Sequence, residues 1–153
     1  MKLLPVSLAA AALLAAVTAT VAAQTAAAPS PAQIVKARQA SLMMSAITFA
    51  SLKQGAEGDV SKLGFPAKAL ASWAAVLPTL FPAGTGPGQA GDTEAKAEIW
   101  TNRAGFEARA ADYGSATAKL ADLAKAGDSA GFTAQLAVVK KACDSCHADF
   151  KTH

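Results

Sequence analysis

The five residues Cys143-Asp144-Ser145-Cys146-His147, close to the C-terminus, constrain this chain more than any other feature. Two cysteines separated by two residues and followed by a histidine form the C-x-x-C-H signature of covalent c-type haem attachment. In such a site the two thiols add to the vinyl groups of the porphyrin, and the imidazole ligates the iron. On a helix, Cys143, Cys146 and His147 share one face because they are three and four residues apart. The motif therefore predicts one haem c, bound through Cys143 and Cys146, with His147 as the iron ligand.

The sequence gives less support to other uses of two nearby cysteines. A structural zinc site needs about four nitrogen or sulfur ligands, whereas the whole chain has two cysteines and two histidines, His147 and His153. A redox dithiol follows a strand and opens a helix, whereas this motif closes the last predicted helix. A disulfide across so short a loop would constrain the unfolded chain very little. Haem attachment is favoured, and a redox dithiol remains the alternative.

The N-terminus has the pattern of an export signal. Met1-Lys2 forms a short charged region, residues 3–17 are apolar, and Val21-Ala22-Ala23 resembles a cleavage site. We expect a signal peptide over residues 1–23 and a mature domain over residues 24–153, with an uncleaved membrane anchor as the alternative. Haem is attached to c-type proteins outside the cytoplasm, so the expected location is a bacterial periplasm.

Composition narrows the class of the mature domain. About 130 residues suit one domain, which would bury roughly two-thirds of its unfolded surface. The net charge of the whole chain is only +3, and no run of basic residues is present. We therefore expect no nucleic-acid binding. No second stretch is long and apolar enough to cross a membrane, so no membrane association is expected after signal cleavage.

The chain is predicted to be all-α, with four helices and no sheet. Ser30 caps the first helix, which ends near Gln54, and Pro66 opens the second, which ends near Leu77. A glycine-rich loop over residues 82–91 leads to Asp92 or Thr93 as the cap of the third helix. Three further features complete the pattern: the third helix ends near Lys125, Asp128 caps the fourth, and a heptad joins Ile99, Phe106, Tyr113 and Leu120. The economical architecture is an antiparallel four-helix bundle with covalently attached haem between the helices.

Three segments make the chain resemble cytochrome c′, the class II c-type cytochromes whose haem motif is C-terminal. The first is Val35-Lys36-Ala37-Arg38-Gln39, near the start of the first helix. The second is Glu98-Ile99-Trp100, and the third is the terminal stretch from Lys141 to Lys151. The resemblance extends from about Ile34 to Lys151, which is nearly all of the mature domain.

The resemblance implies roles for individual residues. His147 would be the proximal iron ligand, and Cys143 and Cys146 the thioether attachments. Leu42 matches the distal residue that covers the sixth position of the iron. The remaining matches lie at the haem edge: Arg38 and Gln39 at propionate contacts, and Thr93 or Glu94 at the junction that touches the haem.

Residues outside these matches carry weaker expectations. Lys151 departs from the family pattern, which often has an arginine beside the proximal imidazole, and lysine lacks the planar fork of arginine. Considered alone, Leu42 is a core leucine and Arg38 a solvated helix charge. The large aromatic residues are expected to be core residues without a chemical role, with packing on the porphyrin as the alternative: Trp73, Trp100, Phe106 and Phe132.

The sixth ligand decides the function. If Leu42 points at the iron, a helix turns Met43 by about 100° and Met44 by about 200° away from it. We therefore expect five-coordinate, high-spin iron in an apolar distal pocket without a hydrogen-bond donor. Such a pocket would admit nitric oxide and carbon monoxide but bind dioxygen poorly. The expected function is gas binding together with electron transfer. The alternative is a low-spin, Met-ligated electron carrier.

Two further expectations concern catalysis and partners. No distal histidine or arginine is available for O–O cleavage, so the chain is not expected to be an enzyme. The first helix is apolar on more than one face, with Ile34, Leu42 and Phe49 on one side and Met43, Ile47 and Ala50 on another. A helix buried on only one side does not need this pattern. Because relatives commonly dimerise through their first two helices, we expect a homodimer. The redox partner proteins are unknown.

Overall fold

A computed structural model describes residues 28–152, so the predicted signal peptide and His153 lie outside the described residues. Those residues form four long helices and one short one. In chain order the five helices are α1 (Pro31–Gly55), α2 (Gly64–Val76), α3 (Glu98–Thr101), α4 (Arg103–Ala126) and α5 (Ser129–Phe150).

The ends of α1, α4 and α5 follow the sequence signals. The Ser30 hydroxyl accepts a hydrogen bond from the Gln33 amide, and the Gln33 side chain accepts one from the Ser30 amide, which completes a capping box. Gly127 ends α4 in the left-handed conformation at φ 69°, where a side chain would be strained. The Asp128 carboxylate then caps α5 by accepting from the Gly131 amide at 2.9 Å. These three predictions are confirmed.

The start of α2 differs slightly from the prediction. The helix begins at Gly64, directly after a 3₁₀ turn over Val60–Leu63, so Pro66 lies inside the first turn rather than opening it. Proline is tolerated there because the first-turn amides have no partner within the helix. At the other end, a second 3₁₀ turn over Leu77–Leu80 contains Pro78 and follows α2 directly.

The predicted third helix begins too early. Neither Asp92 nor Thr93 caps it, because the Thr93 hydroxyl accepts hydrogen bonds from the Arg38 guanidinium and from the Ala95 amide. Helical structure starts with α3 at Glu98 and is interrupted at Asn102, which has φ −119° and ψ 55°. The Asn102 side chain then caps α4 by accepting from the Gly105 amide at 3.2 Å. This local polar cap competes with helix continuation and splits the predicted helix in two.

The predicted heptad along the third helix nevertheless forms the core. Ile99, Phe106, Tyr113 and Leu120 are all buried, on both sides of the break. Phe106 packs edge-on against Phe81, with ring centroids 4.9 Å apart, and against Phe150, at 5.4 Å. These rings join the loop after α2, the start of α4 and the end of α5 into one cluster.

The long helices form the predicted antiparallel four-helix bundle, and one of its four sides is open. Helix α2 packs on α1 and α4, and α4 packs on α5, whereas α1 and α5 share few direct contacts. Antiparallel packing of α2 and α4 follows from the pairing of Trp73 with Tyr113 and of Phe81 with Phe106. Residues 28–152 contain no strand, only an isolated bridge between Ala95 and Lys151. None of the helices in this part of the chain could span a membrane.

Candidate functional site

A cavity of about 590 Å³ opens on the side of the bundle between α1 and α5. This size is within the range of sites that bind small molecules and cofactors. Most of its lining is hydrophobic, including Leu42, Phe49, Leu77 and Phe81. Every site residue predicted from the sequence borders it: Arg38, Gln39, Leu42, Thr93, Glu94, Cys143, Cys146 and His147.

Helix α5 brings the motif residues onto one wall of this cavity. Cys143 and Cys146 are free thiols, each half-buried. Burial raises the pKa of Cys143, and it raises the pKa of Cys146 to about 11, so both sulfurs are protonated thiols at neutral pH. Burial also lowers the pKa of His147, and the positive charge of Lys151 adds to this effect. The imidazole is therefore neutral at pH 7, which is the state that ligates a metal ion.

Arg38 lies at the end of the cavity that Thr93 borders and is buried, with 1% of its surface exposed. Its Nη1 donates hydrogen bonds to the Thr85 hydroxyl at 3.1 Å and to the Leu80 carbonyl oxygen at 3.4 Å. Its Nη2 donates to the Thr85 carbonyl oxygen at 3.1 Å and to the Thr93 hydroxyl at 3.0 Å. The guanidinium carbon also lies 4.5 Å from the centre of the Phe81 ring. The alternative of a solvated helix charge is therefore wrong.

The charge of Arg38 has no counter-ion within the described chain. All four of its hydrogen-bond acceptors are neutral oxygens, and none of the ion pairs among residues 28–152 includes Arg38. Burial lowers the pKa of Arg38, yet a guanidinium stays protonated in proteins. Because buried charges are normally paired, this end of the cavity is suited to an anionic group.

The segment 92–96 closes the same end of the cavity by connecting α1 to the end of α5. From α1, Gln39 donates to the Asp92 carbonyl oxygen at 2.9 Å. On the other side, the Lys151 ammonium pairs with the Glu94 carboxylate at 3.0 Å, and the Thr152 amide donates to the Glu94 carbonyl oxygen at 2.8 Å. Lys151 borders the cavity, as His147 does, but its ammonium group is paired with the Glu94 carboxylate at the cavity rim.

The side chains of α1 near Leu42 face either the cavity or the solvent, as their positions on the helix predict. Leu42 is half-buried and borders the cavity. Met43 touches the edge of the cavity but is 66% exposed, and Met44 is 61% exposed and does not border it. Leucine therefore covers this part of the wall, and both methionine side chains are mostly in solvent.

The sequence profile of cytochrome c′ matches residues 33–151, which is most of the chain. The chain belongs to the cytochrome c′ family. Its fold is similar to that of cytochrome c′ from Rubrivivax gelatinosus, with 28% identity, a TM-score of 0.72, and coverage of 80% of this chain and 97% of that chain. No curated protein sequence matches the chain.

Two further solved structures of the family are similar to this chain. A nitrosyl complex of a cytochrome c′ variant from Alcaligenes xylosoxidans is 26% identical, with a TM-score of 0.73 and coverage of 82% and 99%. A cytochrome c′ with ligand-controlled dimer dissociation is 24% identical, with a TM-score of 0.74 and coverage of 83% and 100%.

The cavity suits the haem c that this family binds. The two thiols and the imidazole share one wall, as covalent attachment requires, and the lining next to them is hydrophobic. At the end that Thr93 borders, the unpaired charge of Arg38 matches the negative charge of haem propionates. The indole Nε1 of Trp73, a cavity residue, is also buried without a hydrogen-bond partner. Within the described chain, the charge of Arg38 therefore has no counter-ion, and the indole N–H of Trp73 has no acceptor.

Sequence reasoning assigned no role in the site to three residues that the structure places in it or beside it. Thr85 lies in the glycine-rich loop, and its importance depends on Arg38, which is 47 residues away in sequence. Trp73 and Tyr113 looked like core residues, yet both line the cavity, with ring centroids 6.2 Å apart. No local pattern signals such contacts.

Proposed function

We propose that this protein is a periplasmic cytochrome c′ with one five-coordinate, high-spin haem c that binds nitric oxide and carbon monoxide and takes part in electron transfer. The observation that carries the proposal is the arrangement of Cys143, Cys146 and His147 on one wall of a hydrophobic cavity. When bound, the haem supplies an iron that cycles between the ferric and ferrous states and accepts a diatomic ligand. A pure electron carrier with a methionine ligand is the alternative.

The chain's own residues hold such a group from three directions. The Cys143 and Cys146 thiols would form the covalent attachments, and the neutral imidazole of His147 would offer a nitrogen lone pair to the iron. Arg38 and Gln39 would hold the propionates, to which the buried guanidinium would supply the opposite charge. Thr93 and Glu94 would cover the same haem edge, and Lys151 pairs with Glu94 rather than donating to the imidazole.

If His147 holds the iron, the cavity residues of α1 would leave the sixth position open but crowded. Leu42 and Phe49 from α1 border the cavity, together with Leu77 from the turn after α2. None of these side chains can ligate iron, and the exposure of Met43 and Met44 argues against methionine ligation. A small ligand would have to displace the side chain of Leu42. Related structures include nitrosyl complexes, which supports nitric oxide as a ligand here.

Removing the side chain of Leu42 tests this steric account. In the haem-loaded protein, Leu42→Ala should raise carbon monoxide affinity about tenfold, because about 1.4 kcal/mol of displacement cost disappears. Lys53→Ala is the control, since Lys53 is exposed on the same helix outside both the cavity and the proposed dimer interface, and it should leave the affinity unchanged. Optical titration of the ferrous protein measures both. Equal affinities for Leu42→Ala and the native protein would contradict the proposal.

We further propose that the protein is a homodimer that buries the exposed face of α1. Met43, Met44 and Ile47 are each more than half exposed there, although all three are large and hydrophobic. Contiguous exposed apolar residues commonly mark an interface. The dimer of a relative responds to ligand, which supports a second copy as the partner.

Sedimentation tests the proposed dimer. At micromolar concentration the native protein should sediment as a dimer, and Met44→Asp should sediment as a monomer because it places a charge in the interface. Val138→Asp, on the exposed side of α5, is the matched control and should stay dimeric. A native protein that is only monomeric would refute the proposal.

A further inference from the structure

The sulfur atoms of residues 28–152 belong to two cysteines and two methionines: Cys143, Cys146, Met43 and Met44. The cysteines are half-buried, and burial raises the pKa of each thiol, which keeps it in the less reactive protonated state. In the haem-loaded protein both thiols would be consumed by the covalent attachments. The methionine side chains, in contrast, are 66% and 61% exposed. They are therefore the sulfur atoms that an oxidant in solution reaches most easily.

The two methionines lie on the apolar face of α1 that the proposed dimer would bury. Met43 and Met44 are adjacent, and Ile47, which is 53% exposed, lies one turn further along the helix. A methionine side chain is flexible and polarisable, so it packs well in an irregular interface. Its sulfoxide is polar and disrupts interfaces rich in methionine. The proposed contact and the exposed oxidation sites are thus the same side chains.

The symmetry of a homodimer doubles the effect of this chemistry. In a two-fold interface each residue occurs twice, once from each chain. Oxidation of Met43 and Met44 would therefore bring a sulfoxide group to each of their positions in both copies. Burying a polar group without a hydrogen bond is unfavourable, so we expect the dissociation constant of the dimer to rise at least about tenfold.

We propose that Met43 and Met44 form an oxidation-sensitive regulatory site, at which a hydroperoxide converts each thioether to a sulfoxide and keeps the chain monomeric. The inference rests on the proposed dimer and deepens it by naming how assembly is regulated. In the reaction the O–O bond of the hydroperoxide breaks and one oxygen atom bonds to the methionine sulfur. The proton moves to the other oxygen, which leaves in water or an alcohol. The sulfur loses the electron pair that the peroxide gains. Because the dimer covers both side chains, oxidation acts on the dissociated chain.

Sedimentation of the haem-loaded protein before and after treatment with tert-butyl hydroperoxide tests the proposal. Peptide mass spectrometry should find one added oxygen on Met43 and one on Met44. The treated protein should then sediment as a monomer at a micromolar concentration at which the untreated protein is a dimer. Methionines that stay unoxidised would overturn the proposal, as would a protein that stays dimeric although both carry the added oxygen.

The double variant Met43→Leu/Met44→Leu is the matched control. Leucine keeps the hydrophobic character and the helix propensity of methionine but cannot form a sulfoxide. The variant should therefore stay dimeric after the same treatment, which also accounts for any oxidation of the haem. A double variant that dissociates as the native protein does would overturn the proposal, because the damage would then lie elsewhere.

The kinetics and the reversal of oxidation give a test that needs no variant. Sulfoxide formation should slow as the protein concentration rises through the dissociation constant of the dimer, because the dimer covers both side chains. Reduction by methionine sulfoxide reductases should restore the dimer. A rate independent of concentration in a protein that dimerises would overturn the proposal. A native protein that is monomeric before oxidation would refute the proposed dimer, and the regulatory site with it.

Discussion

Replacing Arg38 with methionine tests how the open side of the bundle is held together. Methionine has a similar length and helix propensity, so α1 should persist. The substitution removes the four hydrogen bonds from the guanidinium and its contact with the Phe81 ring. Two of the acceptors, the carbonyl oxygens of Leu80 and Thr85, have no other donor in the described structure.

The expected cost follows from those two carbonyl groups. A buried acceptor left without a donor costs about 1–3 kcal/mol. The Thr85 oxygen is in the buried part of the network, whereas the bond to Leu80 is longer and partly buried. Relief from burying the guanidinium offsets part of the loss, and loss of its charge beside the haem propionates adds to it. We therefore expect Arg38→Met to lower the free energy of unfolding by about 2–4 kcal/mol.

Urea unfolding of the haem-loaded protein, followed by far-ultraviolet circular dichroism, measures this change. Lys36→Met is the matched control, because Lys36 is exposed two residues earlier on α1 and should change stability by less than about 0.5 kcal/mol. A double-mutant cycle with Thr85→Val should give a coupling of at least about 0.5 kcal/mol. A loss below about 0.5 kcal/mol for Arg38→Met would refute the reasoning.

Two other perturbations test the hydrophobic core and the protonation of His147. Leu120→Ala, at a fully buried position of α4, should cost about 2–5 kcal/mol in the same urea assay, and a loss below about 1 kcal/mol would contradict the assigned core. Burial lowers the pKa of His147 below its unfolded value. The stability from the neutral imidazole is therefore complete above about pH 6.5 and is lost as the pH falls through the lower folded pKa. In the haem-free form, in which His147 binds no iron, the urea midpoint should decrease between about pH 7 and pH 5, and a midpoint that rises on acidification would contradict this sign.

The fold was largely predictable because its signals are local. The capping box at Ser30, the glycine that ends α4 and the heptad from Ile99 to Leu120 each depend on residues a few positions apart. The predicted third helix failed for the opposite reason. Thr93 caps no helix because Arg38, 55 residues earlier in the chain, uses its hydroxyl. Contacts between segments that are distant in the chain produce no periodic pattern in the sequence, so this use of the Thr93 hydroxyl could not be predicted.

Some residues of the candidate site could likewise be predicted from the sequence, and others could not. The haem-attachment motif on α5 could be recognised from its residue spacing alone, and the family resemblance added the predicted site residues on α1. The partner of Arg38 in the glycine-rich loop and the unsatisfied indole of Trp73 could not be predicted, because both depend on how α2 and the loop pack against α1. The pairing of Lys151 with Glu94 also depends on the fold, since it joins the end of α5 to segment 92–96.

The optical spectrum of the exported protein tests the central claim most directly. The reduced protein should show a broad ferrous Soret band without a sharp α band, and this spectrum should change on adding carbon monoxide or nitric oxide. Its mass should exceed that of the mature chain by one haem, and Cys143→Ala with Cys146→Ala should abolish that covalent attachment. A sharp, split α/β pair that carbon monoxide does not alter would contradict the account, because it would mean a methionine ligand at the sixth position.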